Sequence, residues 1–150
     1  MAGLRLKSRL LADTVRCIRR FPGKSQRTQG QAGTGGLRTI YKTCPASAWR
    51  EAERQGVYRG SADDARDGYI HFSTASQVAA TARKHFFGQT GLFLIAVDAD
   101  ALGEALRWEP SRNDELFPHL YGVLDLGAVT GVQDLRARAD GSHDVPELAS

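Results

Sequence analysis

Long hydrophobic runs and cysteines are both scarce in this sequence. The longest apolar run, GLFLIAV at residues 91–97, is far shorter than the roughly 20 apolar residues that cross a bilayer, which excludes a transmembrane helix. The two cysteines, Cys17 and Cys44, have neither CxxC nor metal-ligand spacing. A pair this sparse is typical of a reducing compartment, so we expect a cytoplasmic protein with reduced thiols.

Several motifs that carry well-defined chemistry are also absent. The sequence has no Walker phosphate loop, no nucleophile elbow, no GxGxxG fingerprint and no HExxH zinc motif. The segment GTGGL at residues 33–37 is rich in glycine, but no helix signal follows it, so it does not predict a phosphate loop. The P-loop, α/β-hydrolase and dinucleotide-fingerprint classes are therefore excluded.

Acidic residues are almost missing from the first quarter of the chain. Residues 1–38 hold one acid, Asp13, against nine basic side chains, a net charge of +8 within an overall charge of +3. The remainder therefore carries −5, and nucleic-acid binding by the domain itself is unsupported. The nine basic residues are Arg5, Lys7, Arg9, Arg16, Arg19, Arg20, Lys24, Arg27 and Arg38.

The composition of residues 1–36 indicates a basic extension outside the globular domain. An amphipathic helical pattern comes first, and residues 24–36 then contain no large apolar side chain, as in a disordered linker. Three interpretations stay open: an organelle transit peptide, an arm that binds an anionic surface, or sequence upstream of the true start codon. The apolar face of the helical pattern consists of Leu4, Leu11, Val15 and Ile18.

The rest of the chain predicts one α+β domain at residues 37–138 and a flexible tail at 139–150, because the sequence after Gly131 is polar and is expected to fray. The elements are few, short and irregularly ordered, which favours small mixed or antiparallel sheets over a doubly wound sheet. GLFLIAVD is the most apolar strand and is expected to be central. Strands are predicted at 39–43, 69–73, 91–98 and 106–110 and within 120–129, and helices at 46–56 and 74–88.

Four residues mark the predicted helix ends. Ser47 is a possible cap of the first helix, and Gly56 is expected to end it. Thr74 and Gln77 have the spacing of a capping box for the second helix. The polar residues at 57–68 between the two helices indicate a loop.

The strand DGYIHFST places one titratable group in the middle of a polar row. Side chains alternate along a strand, so Ile70 and Phe72 face the core while His71 lies on the other side with Tyr69 and Ser73. A single strand histidine is most often structural. Here, however, the row follows the loop Tyr58–Ser61 and precedes a helix N-terminus, which attracts anions. We therefore treat His71 as a candidate ligand contact.

A second constellation lies in RWEPSRNDELFPHLYG, at residues 107–122. Aromatic, acidic and imidazole groups concentrated in a loop are typical of a binding site, although such a loop also plugs the edge of a core. His71, His119 and Glu109 would make a two-histidine metal site, but the histidines are far apart and we predict no metal. The members of the constellation are Trp108, Glu109, Arg112, Phe117, His119 and Tyr121.

In combination, these segments resemble the bacterial family known as domain of unknown function 952. The resemblance runs from about Ile40 to Val132 and is carried by IYKTCPASAW, GVYRGS, DGYIHFST, LFLIAVD, LRWEPS and FPHLYG. That family has no settled activity. It is grouped with the ADP-ribosyltransferase-like fold, which includes the RNA 2′-phosphotransferases.

The resemblance to the phosphotransferases can be placed on two segments. Residues 70–73, IHFS, match their VHLS strand, and residues 97–99, VDA, match the end of a later strand. The resemblance implies a cleft for NAD or another phosphorylated nucleotide near His71, with NAD as the only cofactor suggested. The chain departs from the superfamily at residues 41–43, where YKT replaces a His-Gly-Thr motif that holds the nicotinamide ribose.

These expectations give one main hypothesis, a protein that binds a nucleotide or other phosphorylated small molecule, with transferase activity as the reaction that the resemblance suggests. His71 would orient a ribose hydroxyl or act as acid–base, and Glu109 would be the second catalytic residue. The alternative is a non-catalytic ligand-sensing or protein-interaction module on the same fold. The oligomeric state is left open. The predicted ligand-binding residues are Tyr58, Arg59, Ser61, Ser73, Thr74, Trp108, His119 and Tyr121.

Overall fold

The computed structural model describes residues 38–149, so the predictions for residues 1–36 lie outside the described part of the chain. Helices α1, α2 and α3 span Ala46–Gln55, Ala62–Asp67 and Val78–His85. Three 3-10 segments lie at Ala99–Ala105, Arg112–Asp114 and Leu126–Ala128. The strands are β1 Thr39–Pro45, β2 Val57–Tyr58, β3 Ile70–His71, β4 Leu92–Asp98, β5 Leu106–Pro110, β6 Leu116–Leu120, β7 Leu124–Asp125, β8 Val129–Ala137 and β9 His143–Asp144.

The main sheet has the order β1-β4-β8-β9, and every pairing in it is antiparallel. Strand β4 pairs with β1 along its whole length and with β8 on its other side, so the prediction of a central strand is confirmed. The α+β class is confirmed as well, because short helices accompany antiparallel sheets. No helix within residues 38–149 is long and apolar enough to cross a bilayer.

The second sheet has the order β3-β6-β5 and carries the histidine row. His71 on β3 pairs with His119 on β6, and His119 pairs in turn with Arg107 on β5. After β3 the chain turns to the main sheet, where the amide of Ser73 donates to Tyr41 O and the amide of Tyr41 donates to Ser73 O, each at 2.8 Å. This bridge holds the second sheet beside β1.

The core cluster combines residues of α1, the main sheet, the second sheet and a two-stranded sheet formed by β2 and β7. The predicted inward face of the histidine strand is confirmed, since Ile70 and Phe72 are buried in the core cluster. Trp49 and Ala52 of α1 are buried in the same cluster. Gly56 ends α1 with φ +85°, a left-handed conformation that glycine adopts without steric cost.

Two predictions about helix starts are corrected. Ser47 does not cap α1, because Pro45 occupies the cap position without a side-chain hydrogen bond. Helix α3 begins at Val78 rather than directly after Thr74, and only half of the predicted capping box forms. The amide of Thr74 donates to Gln77 Oε1 at 3.0 Å, whereas the Thr74 hydroxyl pairs with Ser76 Oγ.

The prediction of a continuous loop at residues 57–68 is wrong. Helix α2 lies within it and starts from a complete capping box, in which Ser61 Oγ accepts from the Asp64 amide and Asp64 Oδ2 accepts from the Ser61 amide. Two satisfied amides at the first turn explain why even a six-residue helix forms here.

The prediction that the chain frays after Gly131 is also wrong. Strand β8 continues to Ala137 and buries Val132 and Leu135 beside β4. His143 on β9 is buried, and its Nε2 lies 2.8 Å from Gln89 O. The strand predicted within residues 120–129 is divided between the end of β6, β7 and the start of β8. The domain boundaries at 37, 138 and 139 stay predictions.

Because Ser61 caps a helix and Ser47 does not, the two serines should respond differently to alanine. We expect Ser61→Ala to lower the free energy of unfolding by about 1 kcal/mol through the lost cap. The matched change Ser47→Ala is expected to stay within about 0.5 kcal/mol of the parent. Urea unfolding of both variants measures the difference, and equal losses would contradict this account of α2.

Candidate functional site

A cleft of about 170 Å³ lies where β1, α2, β3, α3 and β6 meet. Its polar lining side chains come from segments that are far apart in sequence, which only the packing of the second sheet beside β1 brings together. Three histidines, two arginines and a lysine face it together with three aspartates. These residues are Lys42, Asp63, Asp64, Arg66, Asp67, His71, His85, Arg112 and His119.

The carboxylate of Asp64 lies at the base of this cleft and is almost fully buried, at 3% exposure. It accepts hydrogen bonds from Lys42 Nζ at 2.8 Å and from the Ser61 amide at 2.8 Å. The backbone amide of His71 donates to Asp64 Oδ1 at 3.1 Å, and His71 Nδ1 lies 2.6 Å from the same oxygen. Each carboxylate oxygen therefore has two partners, which is what a buried carboxylate needs.

These contacts keep Asp64 ionised despite its burial. Burial alone would raise the pKa of the Asp64 carboxyl, but hydrogen bonding to His71, the charge and hydrogen bond of Lys42, and the Ser61 amide outweigh it. The net result is a pKa well below the usual carboxyl range. The base of the cleft thus holds a fixed negative charge.

His71 stands between two carboxylates. Besides the Asp64 contact on Nδ1, its Nε2 lies 3.1 Å from Asp67 Oδ2. The His71 side chain is 37% exposed, so it is the part of this cluster that a ligand in the cleft reaches. The buried Asp64 fixes the ring, as the carboxylate partner of a catalytic histidine does.

His119 has a similar arrangement on the neighbouring strand. Its Nδ1 lies 2.8 Å from Glu109 Oε1, which also accepts from the Tyr121 hydroxyl at 2.8 Å. The hydrogen bonds to His119 and Tyr121 lower the pKa of Glu109. The ring of Tyr69 stacks on His119 with centroids 4.2 Å apart and also contacts His71 at 4.7 Å. Two carboxylate-held imidazoles therefore share one aromatic neighbour.

The guanidinium group of Arg112 also lines the cleft. Arg112 Nη2 donates to Thr81 Oγ1 at 3.0 Å, and Thr81 Oγ1 lies 3.1 Å from Ser73 Oγ. The guanidinium packs over the Phe117 ring at 4.8 Å. Within residues 38–149, Arg112 makes no ion pair with a carboxylate, and burial together with Arg112 lowers the pKa of nearby His85. Arg112 therefore offers unneutralised positive charge to the cleft.

The structure brings some of the predicted site residues together. His71, His119, Ser61 and Ser73 line the cleft. Glu109 and Tyr121 are not lining residues but are hydrogen-bonded behind His119.

Four other predicted residues are not brought to the cleft. Tyr58 is buried with its ring 5.9 Å from that of Trp49, and burial raises its pKa. Trp108 packs against the core cluster on the face of β5 opposite Glu109. Arg59 is exposed and Thr74 is half-buried, and neither lines the cleft.

The residues that sequence reasoning missed are mainly those that depend on long-range packing. Asp64 and Lys42 were not assigned, although Ser61 and Asp64 have capping-box spacing and Lys42 interrupts an apolar strand. The sequence places Arg112 in a loop without indicating a role, and no local signal marks its partner Thr81. Within the described residues, no three His, Cys, Asp or Glu side chains are placed to hold a metal ion.

Most of the described part of the chain matches known proteins. Residues 43–132 match the family described as Protein of unknown function (DUF952). The crystal structure of protein CC0527 from Caulobacter crescentus is 46% identical, with a TM-score of 0.69, over 71% of this chain and 93% of that chain. Its solution NMR structure is 47% identical over 69% of this chain and 90% of that chain, with a TM-score of 0.63. A comparison with curated proteins gave no match.

The Asp64 contacts make a direct prediction about stability. Asp64→Asn leaves Lys42 buried without a counter-charge, so we expect a loss of about 3–5 kcal/mol in the free energy of unfolding. Because the folded pKa of Asp64 is lowered, its stabilisation is present above the usual carboxyl range near pH 4 and is lost as the pH falls below it. Urea unfolding between about pH 3 and 7 should show that the free energy of unfolding falls less on acidification in Asp64→Asn than in the parent protein. An equal fall in both proteins would contradict the assignment.

Gly60 allows the close approach of the loop to Asp64. It has φ +99°, and a Cβ there would lie 2.8 Å from Asp64 Cβ and 3.2 Å from Ile70 Cγ1. Gly56 has φ +85° with nothing within 4 Å, so Gly56→Ala measures the conformational cost alone. We expect Gly56→Ala to lower the free energy of unfolding by about 1 kcal/mol and Gly60→Ala to lower it by about 1–3 kcal/mol more. Thermal unfolding of both variants measures these changes. Equal costs would show that the contact with Asp64 is unimportant.

Proposed function

The chain belongs to the family of proteins of unknown function described as DUF952, and from this premise we propose that its cleft binds an NAD-like or other phosphorylated nucleotide. The observation that carries the proposal is the convergence of the Asp64–His71 pair and the Arg112 guanidinium on one cleft. A guanidinium without a carboxylate partner suits phosphate, and a carboxylate-held imidazole suits a ribose hydroxyl or proton transfer.

The size of the cleft favours part of a nucleotide over a whole dinucleotide. Its volume of about 170 Å³ is below the roughly 300–1,000 Å³ of pockets that enclose drug-sized ligands. A phosphate and its ribose are the parts that such a space accommodates. The base would then lie outside the cleft, where Tyr69 and the exposed Tyr121 ring, with centroids 5.1 Å apart, offer aromatic surfaces for stacking.

We extend the proposal to a transferase of the ADP-ribosyltransferase-like type, with one difference in the first strand. Where those proteins hold the nicotinamide ribose, this chain has residues 41–43, YKT, and the Lys42 ammonium is bound to Asp64. The Tyr41 hydroxyl donates to Ala149 O at 2.8 Å. Two of the three side chains are thus already engaged, which favours binding through the phosphate and its ribose over binding through nicotinamide.

Isothermal titration calorimetry of the full chain with NAD, ADP-ribose and a 2′-phosphorylated RNA oligonucleotide tests this proposal. We expect at least one of them to bind, and Arg112→Gln to weaken that ligand about 10–100-fold through the lost charge-assisted hydrogen bonds. The matched control is Arg136→Gln, since Arg136 is exposed on β8 and does not line the cleft.

The outcomes separate the two functional hypotheses. Absence of heat with all three ligands would overturn the nucleotide proposal and favour an interaction module on the same fold. Binding without turnover of any of the three would identify a ligand-sensing protein. Equal weakening by Arg112→Gln and Arg136→Gln would show that general surface charge, and not the cleft, attracts the ligand.

A further inference from the structure

Two of the three imidazoles that line the cleft each contact a carboxylate through Nδ1. His71 Nδ1 lies 2.6 Å from Asp64 Oδ1, His119 Nδ1 lies 2.8 Å from Glu109 Oε1, and the two ring centroids are 5.4 Å apart. We propose that His71 and His119 act together as general acid and general base on a ribonucleotide phosphodiester, with the adjacent 2′-hydroxyl as nucleophile. This inference rests on the proposed function, because it requires a nucleotide in the cleft.

The hydrogen-bond partners of the two rings assign their roles. A carboxylate only accepts, so the two carboxylates facing His71 are both satisfied when Nδ1 and Nε2 each carry a hydrogen. His71 in that form has a proton to donate. Within residues 38–149, His119 makes a hydrogen bond through Nδ1 only. With Nδ1–H directed to Glu109, its Nε2 keeps a lone pair and serves as the base.

Several hydroxyls that line the cleft are committed to other contacts, whereas those of Thr43 and Ser111 line it without a hydrogen bond to either imidazole. Ser61 Oγ caps α2, and Ser73 Oγ is joined to Thr81 Oγ1, which also accepts from Arg112. Neither imidazole makes a hydrogen bond to a hydroxyl nucleophile within residues 38–149. A serine–histidine pair, the usual sign of covalent catalysis by the protein, is therefore missing from this cleft. We therefore assign the nucleophile to the substrate, as its 2′-hydroxyl.

Arg112 supplies the charge that a phosphodiester needs. Its guanidinium lines the same cleft as both histidines and has no carboxylate partner within residues 38–149. A positive group fixed beside the phosphorus stabilises the charge that develops on the nonbridging oxygens during substitution. The lining of this cleft therefore combines an acid, His71, a base, His119, and a cation, Arg112.

The proposed step balances without a metal or other co-reactant. His119 Nε2 accepts the proton of the 2′-hydroxyl, the 2′-oxygen forms a bond to phosphorus, and the bond from phosphorus to the 5′-oxygen breaks. The leaving 5′-oxygen takes a proton from His71 Nε2, where it replaces Asp67 as hydrogen-bond partner. The products are a 2′,3′-cyclic phosphate and a 5′-hydroxyl, and the protein has moved one proton from His71 to His119.

The test incubates the full chain with a mixture of all dinucleoside monophosphates and, separately, with their 2′-deoxy counterparts. We expect the ribonucleotides to be cleaved to 2′,3′-cyclic phosphates and the deoxynucleotides to remain intact. His71→Gln and His119→Gln should each lower the rate about 10²–10⁴-fold, the usual contribution of a general acid or base. His143→Gln is the control, since His143 lies on β9 outside the cleft, and purification in parallel excludes a contaminating nuclease.

A substrate with a bridging 5′-sulfur distinguishes the acid from the base, because a thiolate leaves without a proton. It should restore cleavage by His71→Gln and should not restore it in His119→Gln. Glu109→Gln is a second variant that leaves the buried ring of His119 in place. It should lower kcat with little change in KM, because Glu109 positions His119 and does not contact the substrate.

Each remaining outcome would reject a specific part of the acid–base proposal or of the proposed function. Nucleotide binding with no cleavage would reject the acid–base pair while the proposed function stands. Neither binding nor cleavage would reject both. Cleavage of the deoxynucleotides would reject the 2′-hydroxyl as nucleophile, and unchanged rates in both histidine variants would assign the activity elsewhere.

Discussion

The buried carboxylate of Asp64 receives hydrogen bonds from three separate parts of the chain. Lys42 reaches it from the main sheet, the Ser61 amide from the start of α2, and both the backbone and the ring of His71 from the second sheet. An ionised group this deeply buried is tolerated only when its oxygens are saturated with donors. The need to supply hydrogen-bond donors to both oxygens of Asp64 therefore fixes the position of α2, the register of β3 and the orientation of His71.

The chemistry of the cleft depends on the same arrangement. Asp64 holds His71 so that its ring lies 5.4 Å from that of His119 on the paired strand β6, and Tyr69 packs against both rings. Glu109 holds His119 from the far side, so neither imidazole can rotate without losing a carboxylate partner. Such preorganised groups are what both ligand recognition and proton transfer require. The family relationship adds an evolutionary context to this geometry without assigning it an activity.

The parts of the fold that the sequence predicts are those governed by local periodicity. Strict alternation at residues 69–73 correctly places Ile70 and Phe72 in the core and His71 on the cleft side, and Gly56 marks the end of α1. Helix α2 is missed because six residues are too few for a helical period, although its capping box is visible in the sequence. The end of β8 is missed because Gln133, Asp134 and Arg136 make it polar, and only its pairing with β4 and β9, which no local pattern encodes, makes it a strand. The Lys42–Asp64 and Arg112–Thr81 contacts join residues 22 and 31 positions apart, and no local pattern encodes them.

The most direct test of the account is the side-chain ¹⁵N spectrum of the histidines during titration of the full chain with a ribonucleoside 3′-phosphate. If the cleft is the ligand site, the ring nitrogens of His71 and His119 should shift together along one binding curve. His143 lies on the edge strand β9, outside the cleft, with its Nε2 2.8 Å from Gln89 O, and should remain unchanged. A titration in which His71 does not respond, or in which His143 responds as strongly, would contradict the central claim that Asp64 holds His71 in a nucleotide-binding cleft.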